Sequence, residues 1–307
     1  MSASTGPVVI GVNGSPTDES ALRLGVSEAR RLGVEVSLAH VVPDYVAISP
    51  MMPVTPNDFA EIGGEVLRGA LKELREIHPE LEAGSQLLRG PRAKRLAEAA
   101  EGAALLVVGR DDRPLLERLV LGNTATGVAA TASCPVLSVP AGWRPEPARG
   151  VVLVGVKSPT HATELLGDAF AVAAARGARL VVLHAWKLPS GYDDIIEARV
   201  DLDDWSRRAT DEMDLLTEEW RRTYSDVEVE TRIVHGRPVT ALVEASADAD
   251  VLVIVRRSHG IPAAVHLGGT ARALLRTAQC PVRVVPPKVV VDAVPGLVLE
   301  QAGSLSK

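Results

Sequence analysis

Gly109 and Gly122 stand where backbone can come close to an anion. Gly109 closes the uncharged run Leu105-Leu106-Val107-Val108. Gly122-Asn123-Thr124 opens the small-residue stretch TATGVAAT, which reads as a helix over 123–132. The first turn of a helix holds backbone N–H groups without intrahelical partners at the positive end of the dipole, so phosphate binding is the chemistry on offer. The two glycines leave room for backbone approach. Asn123 or Thr124 can cap the helix and donate from a side chain, and Arg110 and Arg113 can add positive charge. Val12 and Asn13 end the first apolar run and are expected beside them. The same residues admit a structural reading, in which Gly122 ends a loop and Thr124 only caps a helix; the two stand side by side here.

Other chemistry has less support. No GxxxxGK[ST] or strand-following GxGxxG occurs, nor HExxH or CxxC spacing. His40 and His184 fall at strand ends without a Ser or Cys partner and read as structural. Asp111-Asp112 could hold Mg²⁺ beside a phosphate, although adjacent loop acids are commonly just solvated. No base or nucleophile is placed, so no catalytic residue is assigned and an ATP hydrolase or transferase is disfavoured.

The elements that must position these residues occur twice. GNTATGVAATASCPVLSVP (122–140) returns as GGTARALLRTAQCPVRVVP (268–286), with ten of nineteen positions identical. PVVIGVNGSP (7–16) returns as VVLVGVKSP (151–159), and LLRGPRAKRLAEAAEGAALLVVGR (87–110) as IVHGRPVTALVEASADADVLVIVRR (233–257). The reading is a domain at 1–143, a copy at 150–287, the linker AGWRPEPARG between them, and a tail at 288–307. Each copy alternates strands and helices; in the first, strands fall at 8–12, 34–42, 81–88, 104–108 and 135–139. Phe59, Ile62, Val66, Ala70, Leu74 and Ile77 make a helical stripe, matched by Trp205, Ala209, Met213, Leu216, Trp220 and Tyr224. These aromatics read as core or inter-repeat contacts, not a cofactor platform.

Uninterrupted apolar strands between helices imply a parallel sheet covered on both faces. The fold class is therefore α/β, with two tandem doubly wound five-stranded domains of order 3-2-1-4-5. In that order strands 1 and 4 are neighbours, and a ligand sits in the crevice at their carboxyl ends. The final strands, 135–139 and 281–285, lie at sheet edges, where a short linker favours intramolecular pairing. A pseudo-two-fold pair of repeats is expected, compatible with a further homodimer.

At 307 residues, 46% hydrophobic and 3% aromatic, the chain builds its cores from Ala, Val and Leu. A net charge of −6 without a basic block argues against nucleic acid as a partner. The N-terminus lacks a signal-peptide pattern, and the uncharged stretch 119–143 is broken by Pro, Gly and hydroxyl residues, which argues against a membrane span. A cytoplasmic protein is expected, with Cys134 and Cys280 as buried thiols.

GVNGSP after strand 1, VVG followed after twelve residues by GNT, and CPV before the last strand together resemble the universal stress protein family, over nearly the whole chain. One branch of that family binds ATP through G-x2-G-x9-G-[ST]. The resemblance lays this motif on Gly109, Asp112, Gly122 and Asn123, with Thr124 next. It implies ATP, with Mg²⁺ where Asp112 faces phosphate, in a stress-response or regulatory protein whose repeats pair through the last strands. Asp112 stands in place of a glycine, Asn123 in place of Ser/Thr, and Asn13 in place of the aspartate near the adenine. The second copy departs further, with Val255 for Gly109 and Lys157 for Asn13. The expectation is one ligand site per chain, in the first repeat. The competing reading is an interaction module that binds an unidentified protein partner and no nucleotide. The proline-rich stretch 43–58 leaves strand 2 beside the crevice as a lid or an idle covering loop.

Overall fold

The computed structural model describes residues 6–44, 56–110, 124–144, 147–159, 162–187, 202–256 and 267–287. The first repeat runs β1 (Val8–Gly11), α1 (Thr17–Leu32), β2 (Val36–Val42), α2 (Pro56–Ile77), β3 (Ala83–Arg89), α3 (Arg92–Ala99), β4 (Leu105–Gly109), α4 (Thr124–Thr131) and β5 (Val136–Val139). The second runs β6 (Val151–Gly155), α5 (Ala162–Arg176), β7 (Arg179–Trp186), α6 (Leu202–Thr223), β8 (Val229–His235), α7 (Pro238–Ala245), β9 (Val251–Val255), α8 (Gly269–Thr277) and β10 (Val282–Val285). Residues 45–55 of the proposed lid and the tail from 288 lie outside the described residues.

All ten strands join one sheet, ordered β3-β2-β1-β4-β5-β10-β9-β6-β7-β8. Each half has the expected order 3-2-1-4-5, and every pairing within a half is parallel. The halves meet through an antiparallel seam in which Val282 faces Ser138, Arg283 faces Leu137 and Val284 faces Val136. The edge strands of the two repeats thus satisfy each other's backbone groups.

Helices cover both faces, so the inner strands bury both rows of side chains, while the outer strands β3 and β8 stay partly exposed. One core gathers Ile10, Leu38, Leu105 and Val107 under α1 and α2, continuing to Val152, Val182 and Val253 under α5 and α6. The opposite core holds Val9, Ala39, Leu106 and Val108, then Leu153, Leu183, Leu252 and Ile254. Gly33 ends α1 with φ 65° and donates its N–H to the carbonyls of Ala29 and Arg30, the left-handed closure that glycine allows. Cys134 and Cys280 are free and buried, and burial pushes their thiols up to about 11 and about 12.

Two parts of the helical stripes differ from expectation. Ile62 is 53% exposed, because its neighbour Gly63 faces the sheet. A Cβ on Gly63 would lie 2.6 Å from Leu87 and 2.8 Å from Val42, so α2 rests on the sheet at that glycine. In α6, Trp220 and Tyr224 stack on buried Phe170, whereas Trp205 is 39% exposed and contacts Trp186 at the outer end of β7.

Across the seam, Arg176 of α5 meets Glu28 of α1 at 2.6 Å, with both side chains largely buried. Arg283 of β10 forms a two-armed pair with Asp168 of α5, at 2.6 and 2.8 Å.

Candidate functional site

The carboxyl ends of β1 and β4 open onto a crevice of about 560 Å³. Its walls are the β1 tip and following loop (residues 11–18), Arg92 and Leu96 of α3, Val108 and Gly109 of β4, and Thr124 and Ala125 of α4. A strand run parallel through a sheet delivers its tip to the same side as the helix that follows, which is why residues so far apart in sequence converge here.

The β1–α1 loop is organised around Asp18, which is almost fully buried. Its Oδ2 accepts the backbone N–H groups of Asn13 at 2.8 Å and Gly14 at 2.7 Å. Gly14 turns the chain with φ 79°. Burial raises the Asp18 carboxyl above its ordinary range, and amide bonds from Asn13, Gly14 and Ser15 only partly oppose this. Asn13 Oδ1 accepts the Ser15 N–H at 2.9 Å. The oxygen expected to face a ligand is therefore engaged within the loop, and the amide nitrogen is what Asn13 offers the crevice.

Val12, Asn13, Gly109 and Thr124 are thus brought together as expected from the sequence, while Asp112, Gly122 and Asn123, with Asp111 and Arg113, lie outside the described residues. Arg110 departs from expectation. Its N–H bonds Val139 O at 2.6 Å, and its guanidinium crosses the seam to donate to Ala278 O at 2.6 Å. Arg256, its counterpart in the second repeat, donates to Ala132 O at 2.9 Å and Ala129 O at 3.2 Å. This reciprocal pair joins the repeats; Arg110 serves the joint instead of facing a phosphate.

The need for glycine at 109 also has a different origin. A Cβ there would lie 2.9 Å from Thr17 Oγ1 and 3.1 Å from Thr17 O, so the bare backbone lets α1 begin against the β4 tip. Sequence reading missed Asp18 and Arg92. Arg92 opens a helix that follows a parallel strand, a position always on the carboxyl-end side of the sheet, and that was the available signal. His40 Nδ1 donates to Val12 O at 2.8 Å, and His184 Nδ1 lies 3.0 Å from Val156 O. Each histidine therefore ties strand 2 to strand 1 of its repeat, and burial lowers the pKa of His40.

The second repeat keeps a crevice at the corresponding place, of about 330 Å³, although its sequence suggested a lost site. Val255 forms part of its wall without filling it.

The first crevice combines apolar and polar walls. Val12, Leu96, Val108 and Ala125 supply apolar wall, and the Asn13 amide, the Thr124 hydroxyl and Arg92 supply polar and charged groups. Thr124 and Ala125 bring the start of α4 to the crevice wall, where the positive end of the helix dipole favours an anion. One feature opposes phosphate, since Asp18 already holds two of the loop amides.

The model of the universal stress protein family matches residues 5–140 and again residues 149–286. The chain belongs to that family. It is similar to a universal stress protein of Mycobacterium bovis, 28% identical over 290 residues, covering 90% of this chain and 95% of the relative. It is also 26% identical over 288 residues to a universal stress protein of Mycobacterium tuberculosis, covering 90% and 94%. A universal stress protein of Archaeoglobus fulgidus shares the fold with a TM-score of 0.69 at 18% identity, covering 92% of this chain and 97% of that one. As a universal stress protein the chain carries two family domains, and its first crevice lies at the switch point of one of them. Among the described residues no helix is long and apolar enough to cross a membrane, and no three His, Cys, Asp or Glu side chains converge to hold a metal.

Proposed function

We propose that this universal stress protein binds an adenine nucleotide, ATP foremost, in the first-repeat crevice, and serves as a cytoplasmic stress-response regulator, not a catalyst. The observation that carries the reading is the convergence of the β1 tip, the β4 tip and the start of α4 on one crevice, with Arg92 at its wall. Apolar side chains there suit a base, and the α4 amides with Arg92 suit phosphate. Gly122, Asn123 and Asp112 belong to the same proposed site through the family motif, and Asp112 would be the residue to hold Mg²⁺, which would offset charge repulsion with a phosphate. The proposed units are 1–143 with the nucleotide site and 150–287 with a diverged one, followed by the tail.

A second reading, an interaction module without nucleotide, draws support from Asp18 and Arg110. The first occupies the loop amides and the second is turned to the seam. Calorimetric titration with ATP, with and without Mg²⁺, separates the two. The nucleotide reading expects saturable binding at one per chain. It expects Arg92→Ala to weaken binding by about tenfold, the value of one charge-assisted contact. It expects Asp112→Gly to tighten binding most in the absence of Mg²⁺. No binding by wild type or by Asp112→Gly would leave the interaction module as the better account.

A further inference from the structure

We infer that the second-repeat crevice is a binding site for a small organic monocarboxylate with a compact apolar body. The inference rests on residues of the second repeat alone and is independent of nucleotide binding in the first. The floor of this crevice is apolar: Leu165, Leu183, Leu242, Ile254 and Leu274 line it, all nearly buried. Its 330 Å³ has room for on the order of ten heavy atoms, at about 30 Å³ for each water-sized group.

The charges differ from those of the first crevice position by position. Lys157 stands where Asn13 stands, and Pro238 where Arg92 stands. Among the described residues the Arg92 charge has no counterpart, and one cation, Lys157, lines the mouth of the second crevice. Lys157 is exposed and has no ion pair or hydrogen bond among the described residues. No carboxylate is among the residues described as lining the crevice. Arg256, nearby in sequence to Val255, is committed to carbonyls across the seam and adds no second charge.

The open mouth continues to Gly268, Gly269 and Thr270 at the start of α8. A Cβ built on either glycine would meet nothing within 4 Å. A monoanion can therefore place its carboxylate between the Lys157 ammonium and the Thr270 hydroxyl, with its hydrocarbon on the leucine floor. Among the described residues a dianionic or polyanionic ligand would find one compensating cation, and an uncharged one would leave Lys157 unused.

The test titrates the full chain with butanoate, pentanoate and hexanoate by calorimetry and follows ¹³C-methyl signals by NMR. Expected are one site per chain, affinity rising about fourfold for each added methylene until the crevice fills, and shifts at Leu242, Ile254 and Leu274. 1-Hexanol should bind at least tenfold more weakly than hexanoate. Lys157→Ala and Lys157→Glu, both at an exposed position, should lose tenfold or more, and Lys157→Arg should retain binding. ATP should not displace hexanoate. Absence of saturable binding, equal affinity in Lys157→Ala, or shifts confined to Leu96 and Val108 of the first crevice would each overturn the inference. Loss of ATP binding with hexanoate binding intact would count against the nucleotide reading only.

Discussion

Gly109→Val copies the residue of the second repeat into the first, and the contact with Thr17 sets its cost. A Cβ at 109 lies 2.9 Å from Thr17 Oγ1, 3.2 Å from Thr17 Cβ and 3.1 Å from a backbone oxygen. The hydroxyl can rotate away, but the carbonyl and Cβ can give way only if the first turn of α1 shifts. Overpacking of this kind costs about 1–3 kcal/mol. Replacing glycine also restricts the unfolded chain, which returns about 0.4–1 kcal/mol. The net destabilisation expected is therefore about 0.5–2 kcal/mol, measured as a lower urea midpoint at unchanged m-value. Thr17→Ala removes only the 2.9 Å contact, so Gly109→Val should cost less in that background, with a coupling of at least about 0.5 kcal/mol in a double-mutant cycle. If Gly109→Val is as stable as wild type, or costs the same with and without the Thr17 hydroxyl, the steric argument is wrong. Glycine at 109 would then have to be explained by the ligand alone.

Asp18 should make stability fall with rising pH. Burial raises its folded pKa above the unfolded value, so the protonated form is favoured on folding. That contribution is full below the ordinary carboxylate value and is lost as pH climbs through the folded one. Asp18→Asn should then gain on wild type between acid and neutral pH in urea titrations; a gap that widens toward acid would reverse the sign. Removing one partner of Arg283–Asp168, as in Asp168→Ala, should cost about 3–5 kcal/mol by leaving a buried charge unpaired. Arg283→Met with Asp168→Leu should cost much less than the two single changes summed, and additivity in urea unfolding would refute the pairing. Arg110→Ala and Arg256→Ala should each cost about 1.5–3 kcal/mol through a lost charged hydrogen bond across the seam. Changes under 0.5 kcal/mol in both would show that the reciprocal clamps do not hold the repeats.

The architecture was legible because it rests on continuous apolar runs and helical stripes that recur at an offset of 144–146 residues. Apolar runs such as Leu105–Val108 are long enough to mark buried parallel strands, and the matching CPV segments mark the two edges that pair. Val12, Asn13, Gly109 and Thr124 were legible because strand tips and helix starts converge at a switch point whatever their side chains do. What stayed hidden depends on which atom a side chain reaches. Arg110 follows a strand tip in sequence, yet its partner is Ala278 O, 168 residues away. Asp18 reads as a first-turn helix acid, while its carboxylate turns back onto the preceding loop. In α2, Ile62 fits the helical period, but the sheet contact falls one residue later because a glycine allows closer approach.

The seam register places Arg283 opposite Leu137, and these two are equivalent positions of the repeats. The pseudo-dyad therefore passes between them. In a symmetric homodimer of second-repeat domains, built on the same strand pairing, arginine would face arginine across the axis, and like charges directly opposite are destabilising. Asp168 answers Arg283 here, while its counterpart Leu24 lies in the core beneath the first repeat. Covalent duplication has thus let one half acquire a charge that self-association would have forbidden. Exchange of partners between chains should therefore pair a second repeat with a first more readily than with another second.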